Sequence, residues 1–243
     1  MIILFGAAGT LGRAVIKQLS DENITYGLAV NSRIKEVEKF SLSLTNKPRF
    51  IVKCDVTNIR DIKKVFKLSG KDSEEISGII NNFAYTYLDE KMQGSVDDLE
   101  KIKKIFKINY LGVANIFDVS FNYRKNKNKK DFCIVNVLSN SIKTLNASNV
   151  HYISSKSAIE TLSKYHALHN AKLFRVNCVS PGFMESSLTK RRFIKDRKEI
   201  IRKTPIGKLV NPTDVAKTIT NIIISLKTIN GETIYIDGGR TLF

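Results

Sequence analysis

Cysteine and histidine are scarce in this 243-residue chain, with three of each. Cys54, Cys133 and Cys178 lie far apart, each by an apolar, strand-like stretch. An odd, scattered set is neither a disulfide framework nor a metal site, so buried free thiols are expected. His151, His166 and His169 combine with them at no zinc spacing. His166 and His169 share a helix face but have no third ligand nearby, and surface or half-buried positions are expected. No apolar run approaches the roughly 18 residues needed to cross a bilayer. The apolar opening Met1–Phe5 has no basic residue before it, and Gly6, Gly9, Gly12 and Arg13 break it up. It therefore reads as a strand rather than a signal peptide, and a cytoplasmic protein is expected. Acidic side chains are outnumbered, 23 Asp+Glu against 40 Lys+Arg, for a net charge of +17. Such a surface attracts anions, among them nucleic acid, acidic proteins and phosphorylated metabolites. A chain rich in Lys, Asn and Ile together is equally what an AT-biased genome produces. No helix-turn-helix, zinc-finger or RNA-binding signature sharpens the nucleic-acid reading, so that partner is not expected.

What is present is a large apolar fraction, 42%, with neither an internal repeat nor a low-complexity linker. The length suits one domain over residues 1–243. Ile2–Phe5 is a short, fully apolar run of the kind found in buried parallel strands. Gly6-Ala-Ala-Gly9-Thr-Leu-Gly12 follows, then a helical stretch from Arg13 to Leu19. Further strands are expected at Ile24–Val30, Phe50–Val56, Ser77–Asn82, Phe132–Leu138, Leu173–Val179 and Thr233–Ile236. Helices are expected from near Asn58, over Val96–Tyr123, Val150–His169 and Pro212–Leu226. In the second of these, Leu99, Ile102, Ile105, Phe106, Val113, Ile116 and Phe117 recur at helical spacing and mostly face a core. Asn109, a poor helix former, sits in its middle and marks either a kink or a polar task. The alternation implies a doubly wound α/β fold: a parallel sheet of about seven strands, helices on both faces, right-handed crossovers.

Several residues in this frame carry chemistry. Tyr152 and Lys156 lie one helical turn apart and face one space. A nearby cation favours the phenolate, so the lysine is expected to lower the tyrosine pKa and make an acid/base pair. The plainer alternative is a tyrosine packed on a lysine stem. The glycine loop joins a strand to a helix, where it can approach a pyrophosphate closely and offer it the helix's free N–H groups. The alternative is a simple tight turn. The second strand ends Asn31-Ser32-Arg33, with no acid to hold the ribose of NAD. Arg33 suits the 2′-phosphate of NADP, unless it merely opens the next helix in solvent. Asp55 either accepts from an adenine amine or caps the following helix. Ser139 stands at the carboxyl end of the fifth strand, where ligands of open α/β sheets bind.

In this order and spacing the residues resemble the short-chain dehydrogenase/reductase family over nearly the full chain. The loop Gly6–Gly12 resembles its T-G-x-x-x-G-x-G, Tyr152/Lys156 its Y-x-x-x-K, and Val176-Asn-Cys-Val-Ser-Pro181-Gly182 its V-N-x-[VI]-x-P-G. Ser139 precedes the tyrosine by the family's usual interval, and Asn109 falls at the fourth catalytic position. Thr204-Pro-Ile-Gly, Pro212-Thr-Asp-Val-Ala and Gly231 to Gly239 resemble the family's tail. The pattern is nearest the β-ketoacyl-acyl-carrier-protein reductase-like members. The resemblance implies a Rossmann fold with catalytic Tyr152, Lys156, Ser139 and Asn109. It implies cofactor contacts from Gly6, Gly9, Thr10, Leu11, Gly12, Arg33, Asp55, Val56, Asn82, Tyr152, Lys156, Pro181, Gly182 and Ser186, the last toward the nicotinamide carboxamide. Tyr152 would exchange a proton with the reacting oxygen, Ser139 would hydrogen-bond that oxygen, and Asn109 would hold a water relaying protons to Lys156. Phe5 stands in place of the family's threonine, Thr10 in place of its second glycine, and Phe83-Ala84 in place of Ala-Gly. Phe83 is placed to crowd the cofactor.

The expected protein is an NADP(H)-dependent oxidoreductase that reduces a carbonyl or runs the reverse reaction, as a homotetramer or homodimer. The segment from 183 to about 205 should cover the substrate. Its Lys190, Arg191, Arg192, Lys195, Arg197 and Lys198 suit an anionic or carrier-bound substrate, or simply make a solvated helix face. The alternative is a catalytically weak dinucleotide-binding scaffold with a regulatory or nucleic-acid-binding role.

Overall fold

The computed structural model of the chain describes residues 1–69, 75–87, 99–125, 131–146, 149–184 and 197–242. Seven strands form one sheet in the order β3-β2-β1-β4-β5-β6-β7. They are β1 (Ile2–Phe5), β2 (Tyr26–Val30), β3 (Ile51–Lys53), β4 (Gly78–Asn81), β5 (Cys133–Val137), β6 (Arg175–Pro181) and β7 (Thr233–Ile236). Every pairing is parallel. The strands of the middle of the sheet are buried at every residue, which is why they read as unbroken apolar runs.

Strand alternation divides the core in two. Ile2 and Leu4 point to one face, where Leu11, Val15, Ile16 and Leu19 of α1 (Thr10–Asp21) pack. Val37 of α2 (Ile34–Leu42) and Val215, Ile219, Ile222 and Ile223 of α8 (Pro212–Ile224) complete that layer. Ile3 and Phe5 point to the other face, against Ile62, Val65 and Phe66 of α3 (Ile59–Ser69) and Ile116 and Phe117 of α5 (Gly112–Lys125). Ile159 and Ala167 of α7 (Val150–His169) close this second layer. Each fully buried Ile, Leu or Val contributes about 1.5–3 kcal/mol of transfer free energy, so the two layers dominate the fold's stability. Phe5 is part of the second layer, which gives the apolar substitution before Gly6 a packing role.

The helix expected over Val96–Tyr123 is in three parts within the described residues: α4 (Leu99–Phe106), a π-helical turn at Lys107–Leu111, and α5. Asn109 sits inside the π turn and is wholly buried. Leu99, expected in the core, is exposed at the start of α4. A short helix, α6 (Ser141–Thr144), follows β5 where only a strand end was expected. All three cysteines are free and buried, as expected. His169 is exposed, while His166 is half-buried and stacks on Phe117 with ring centroids 4.1 Å apart. Among the described residues no cluster of His, Cys, Asp or Glu could hold a metal ion, and no helix is long and apolar enough to cross a membrane.

Strand order reverses between β1 and β4: the chain runs outward through β2 and β3, then returns to pair β4 with β1's other edge. The crevice at the carboxyl ends of these strands is the general ligand position of such sheets.

Candidate active site

A cleft of about 550 Å³ opens at that position. It is lined by Gly6, Gly9, Thr10 and Leu11 after β1, and by Arg33 after β2. Asp55 and Val56 after β3, Asn82 after β4, Ser139 after β5, Tyr152 and Lys156 of α7, and Pro181 and Gly182 after β6 also line it. Residues as far apart in the chain as Gly6 and Gly182 thus share one space. Two expected residues stand behind the wall rather than on it, Gly12 and Asn109. Ser186 lies outside the described residues, as do Lys190, Arg191, Arg192 and Lys195.

The glycine loop is built by close approach. Gly6 has φ +88, and a Cβ there would lie 2.6 Å from the Phe83 nitrogen. The Asn82 side chain fastens the same turn, donating from Nδ2 to the Gly6 carbonyl at 2.9 Å. At Gly12 a Cβ would lie 2.5 Å from the Ala7 carbonyl oxygen, so this residue serves helix-to-loop packing. Gly9 is the N-cap of α1 and brings no side-chain acceptor to the helix's first N–H groups. A Cβ at Gly9 would meet nothing within 4 Å. Free helix N–H groups beside open space suit a phosphate oxyanion, so the residues present fit a bound dinucleotide. Thr10 begins α1 without closing this approach.

Arg33 is the N-cap of α2 in a left-handed conformation, φ 58. It is exposed and lines the cleft. The nearest acid on α2, Glu36, is taken by Arg13 at 2.9 Å. Asp55 serves its own loop: Oδ1 accepts from the Thr57 amide at 2.9 Å. The helix-capping position of α3 goes instead to Asn58, whose Oδ1 accepts from the Arg60 amide at 3.0 Å. Phe83 lines the cleft but also leans into the core, its Cε2 only 3.0 Å from where a Cβ at Gly112 would be. The glycine at 112 makes room for the bulky ring, so the crowding expected of Phe83 is partly relieved.

At the reacting end, Ser139 Oγ accepts from the Ser141 hydroxyl at 2.9 Å and its amide at 3.3 Å. That leaves the Ser139 proton to donate to the Tyr152 oxygen. Burial pushes the Tyr152 phenol up to about 12, against the opposing pull of the Ser139 hydrogen bond. Lys156 is buried at 3% exposure, and its Nζ donates to the Val137 carbonyl at 2.7 Å. Its ammonium lies 5.9 Å from the centre of the Tyr152 ring, and burial brings its pKa down to about 8. The expectation that Lys156 would lower the Tyr152 pKa is not met in this arrangement. Desolvation by burial is the larger influence on each group, and the lowering influence on the phenol is the Ser139 hydrogen bond.

Asn109 does not touch Lys156. Its Oδ1 accepts from the Tyr85 amide at 2.7 Å, and its Nδ2 donates to the Tyr85 carbonyl at 3.0 Å and to Ser155 Oγ at 2.9 Å. Every polar position of the amide is thereby used, fixing the segment after β4 against α7. Its reach toward the site is through Ser155, which donates to the Tyr152 carbonyl at 2.8 Å.

Several participants were not singled out from the sequence. Asn149 caps α7, its Oδ1 accepting from the amides of His151 and Tyr152 at 2.9 and 3.1 Å. That residue carried a readable signal, an Asn immediately before a helical pattern. Asn140 and Asp237 carried none: they meet at 3.4 Å across 97 residues. Ser141, Asn146 and Thr86 also line or support the cleft.

Comparison with known proteins agrees with this geometry. Residues 6–241 match the family model described as enoyl-(acyl carrier protein) reductase. A 7alpha-hydroxysteroid dehydrogenase of Bacteroides fragilis is 26% identical, the match covering 100% of this chain and 94% of that protein. A 3-oxoacyl-[acyl-carrier-protein] reductase of Thermotoga maritima is also 26% identical, over 99% of this chain and 97% of its own length. In fold, the crystal structure of a 3-ketoacyl-(acyl-carrier-protein) reductase from Brucella melitensis complexed with NADH superposes with a TM-score of 0.88. It is 18% identical and the match covers 99% of this chain and 97% of that one. The chain thus belongs to the short-chain dehydrogenase/reductase family and is an NAD(P)-dependent oxidoreductase acting on CH–OH groups.

Proposed function

We propose that the chain is an NADP(H)-dependent reductase of a carbonyl compound, or the dehydrogenase of the corresponding alcohol, acting as a single domain. The observation that carries this reading is the hydrogen-bonded Ser139–Tyr152 pair, with the buried Lys156 in the same cleft. Hydride transfer to a carbonyl builds negative charge on oxygen, and donors fixed at that point stabilise it. With a carbonyl compound in the cleft, Ser139 turns its one proton from the Tyr152 oxygen to the carbonyl oxygen, its own lone pairs being engaged by Ser141. Tyr152 gives up its phenolic proton in reduction and accepts one in oxidation. Lys156 brings a positive charge into the same cleft, 5.9 Å from the centre of the Tyr152 ring, where it offsets the charge that hydride transfer builds on the oxygen. Asn109 holds the wall behind them and positions α7 through Ser155.

A bound nicotinamide supplies or takes the hydride. The amides at Gly9, Thr10 and Leu11 would hold its pyrophosphate, and Pro181 and Gly182 would flank the nicotinamide end. Asp55 offers its second carboxylate oxygen to the adenine amine, the first being spent on Thr57. Arg33 favours NADP(H), because the only acid on the first turn of α2, Glu36, is paired with Arg13. Phe183 and Met184 line the cleft at the start of the segment expected to cover the substrate, of which residues 185–196 lie outside the described residues. Exposed Leu111 on the π turn and Val150, Tyr165 and Leu168 on α7 suit pairing with a second copy.

The test is an equilibrium titration with NADPH and NADH, followed by a screen of ketones with the tighter cofactor. Tyr152→Phe should abolish turnover while leaving cofactor affinity within about twofold. Equal turnover in the variant would overturn the assignment of the tyrosine, and failure to bind either dinucleotide would overturn the reading altogether.

A further inference from the structure

Beside the reaction cleft lies a second cavity of about 450 Å³, lined by Thr144, Asn146, Arg202, Lys203, Pro205 and Arg240. Asn146 lines both spaces. Phe183 is a second link: it lines the cleft, and the Arg240 guanidinium lies 5.1 Å over its ring. Among the described residues, all three charged side chains of the cavity wall are cations. The two neighbouring carboxylates are already committed. Asp237 accepts from the amides of Gly239 and Thr241 at 3.0 and 2.9 Å, and Glu199 pairs with Lys203 at 2.6 Å. Among the described residues, three cations against two carboxylates leave one net positive charge.

The cations differ in freedom. Arg240 is 7% exposed and held by an Nη1 hydrogen bond to the Ile200 carbonyl at 2.9 Å. Arg202 is exposed and makes no hydrogen bond or ion pair among the described residues. A buried, fixed guanidinium beside an exposed one can form an oxyanion clamp, since each presents several N–H donors in a planar fork. The backbone also takes an unusual form here. Leu145, between the wall residues Thr144 and Asn146, is left-handed with φ 52, a conformation unfavourable for leucine. Its amide donates to the Ser141 carbonyl at 2.9 Å, and this turn places Asn146 at the junction of the two spaces.

We propose that the second cavity takes the anionic end of an elongated carbonyl substrate, a carboxylate or phosphate ester held by Arg202, Lys203 and Arg240, while its carbonyl end lies against Ser139 and Tyr152. The volume lies within the range of small-molecule sites. The placement rests on the oxidoreductase reading of the cleft; the anion site itself does not.

The test is calorimetric titration of the whole protein, alone and saturated with NADPH, using inorganic phosphate and glutarate as probes. At least one should bind in the millimolar range in both states. Arg202→Gln/Lys203→Gln should weaken that binding at least tenfold, with the affinity for NADPH unchanged. Both substituted residues are exposed, so this variant keeps the test meaningful should Arg240→Met fail to fold. Preference for phosphate points to a phosphate ester, and preference for glutarate to a carboxylate. Binding of neither probe, or binding that the double variant leaves intact, overturns the proposal. Should NADPH itself not bind, the cleft reading fails separately, and the titrations of the protein alone still decide the anion site.

Discussion

The Asn109 amide and the Ser155 hydroxyl meet at 2.9 Å, and both residues are wholly buried. Ser155 in turn donates to the carbonyl of Tyr152, so the π turn and the helix bearing the tyrosine are joined through one hydroxyl. Ser155→Ala leaves a buried Asn109 N–H without a partner, at a cost of about 1–3 kcal/mol. Denaturant unfolding should report that loss. On the proposed mechanism kcat should also fall, with NADPH affinity unchanged. Ser155→Thr retains the hydroxyl and should restore part of both. A stability loss with no change in kcat would confine Ser155 to a structural role.

Lys156 has a pKa of about 8 and Tyr152 one of about 12, each displaced chiefly by burial. Carbonyl reduction needs the phenol protonated, which holds at all working pH values, and profits from the charged ammonium. The rate should therefore be level below pH 8 and fall as pH rises through about 8, when Lys156 loses its proton. The sign for stability is opposite. The unfolded lysine titrates near 10.4, so above pH 8 the unfolded state holds the extra proton, and the desolvation cost of Lys156 is relieved as pH rises. The three buried cysteine thiols, raised by burial above an unfolded value of about 8.5, oppose this gain over the same range, so the lysine's share is the difference between wild type and a variant lacking it. A pH profile of kcat/KM and one of Tm in wild type and Lys156→Met would check both directions. Activity that instead rises through pH 8 would sink the role given to the ammonium.

The glycine loop separates folding from binding. Gly6→Ala forces a Cβ to within 2.6 Å of backbone at positive φ and should lower Tm sharply. Gly9→Ala meets nothing within 4 Å, so Tm should hold while dinucleotide binding weakens, on the order of tenfold, because the methyl occupies the phosphate's approach. Thermal unfolding and a nicotinamide fluorescence titration on the two variants would resolve the pair. Unaltered affinity in Gly9→Ala would remove the loop from the binding site.

These cases show what the sequence made legible. Strands buried on both faces announce themselves as apolar runs, so Ile2–Phe5 and Cys133–Val137 fell where expected. Local patterns placed Tyr152, Lys156 and Ser139 in one cleft because helix spacing and strand ends are short-range facts. The role of Asn109 was only half readable: its poor helix propensity marked the break, but its partners Tyr85 and Ser155 come from distant parts of the chain. The Tyr152 pKa was misjudged because i to i+4 spacing conveys proximity but not burial, and burial is the larger effect here. The room that Gly112 makes for Phe83 could not be seen at all, since their contact depends on how α5 lies against the end of β4.

Arg33 carries the cofactor preference in the proposed function. It sits at the head of α2 with φ 58, exposed and on the cleft wall. No acid competes for the ribose there, because Glu36 is held by Arg13 at 2.9 Å. Arg33→Asp replaces a bidentate phosphate donor with a carboxylate that repels the 2′-phosphate and accepts from the free ribose hydroxyls of NADH. NADPH affinity should fall at least tenfold, about 1.4 kcal/mol, while NADH affinity holds or improves. Aspartate tolerates the left-handed conformation better than most residues, so folding should be spared. Parallel titrations of both cofactors against wild type and variant decide the matter. Equal losses for the two would place Arg33 in general backbone charge rather than phosphate recognition, and a wild-type protein preferring NADH would refute the NADP(H) assignment outright.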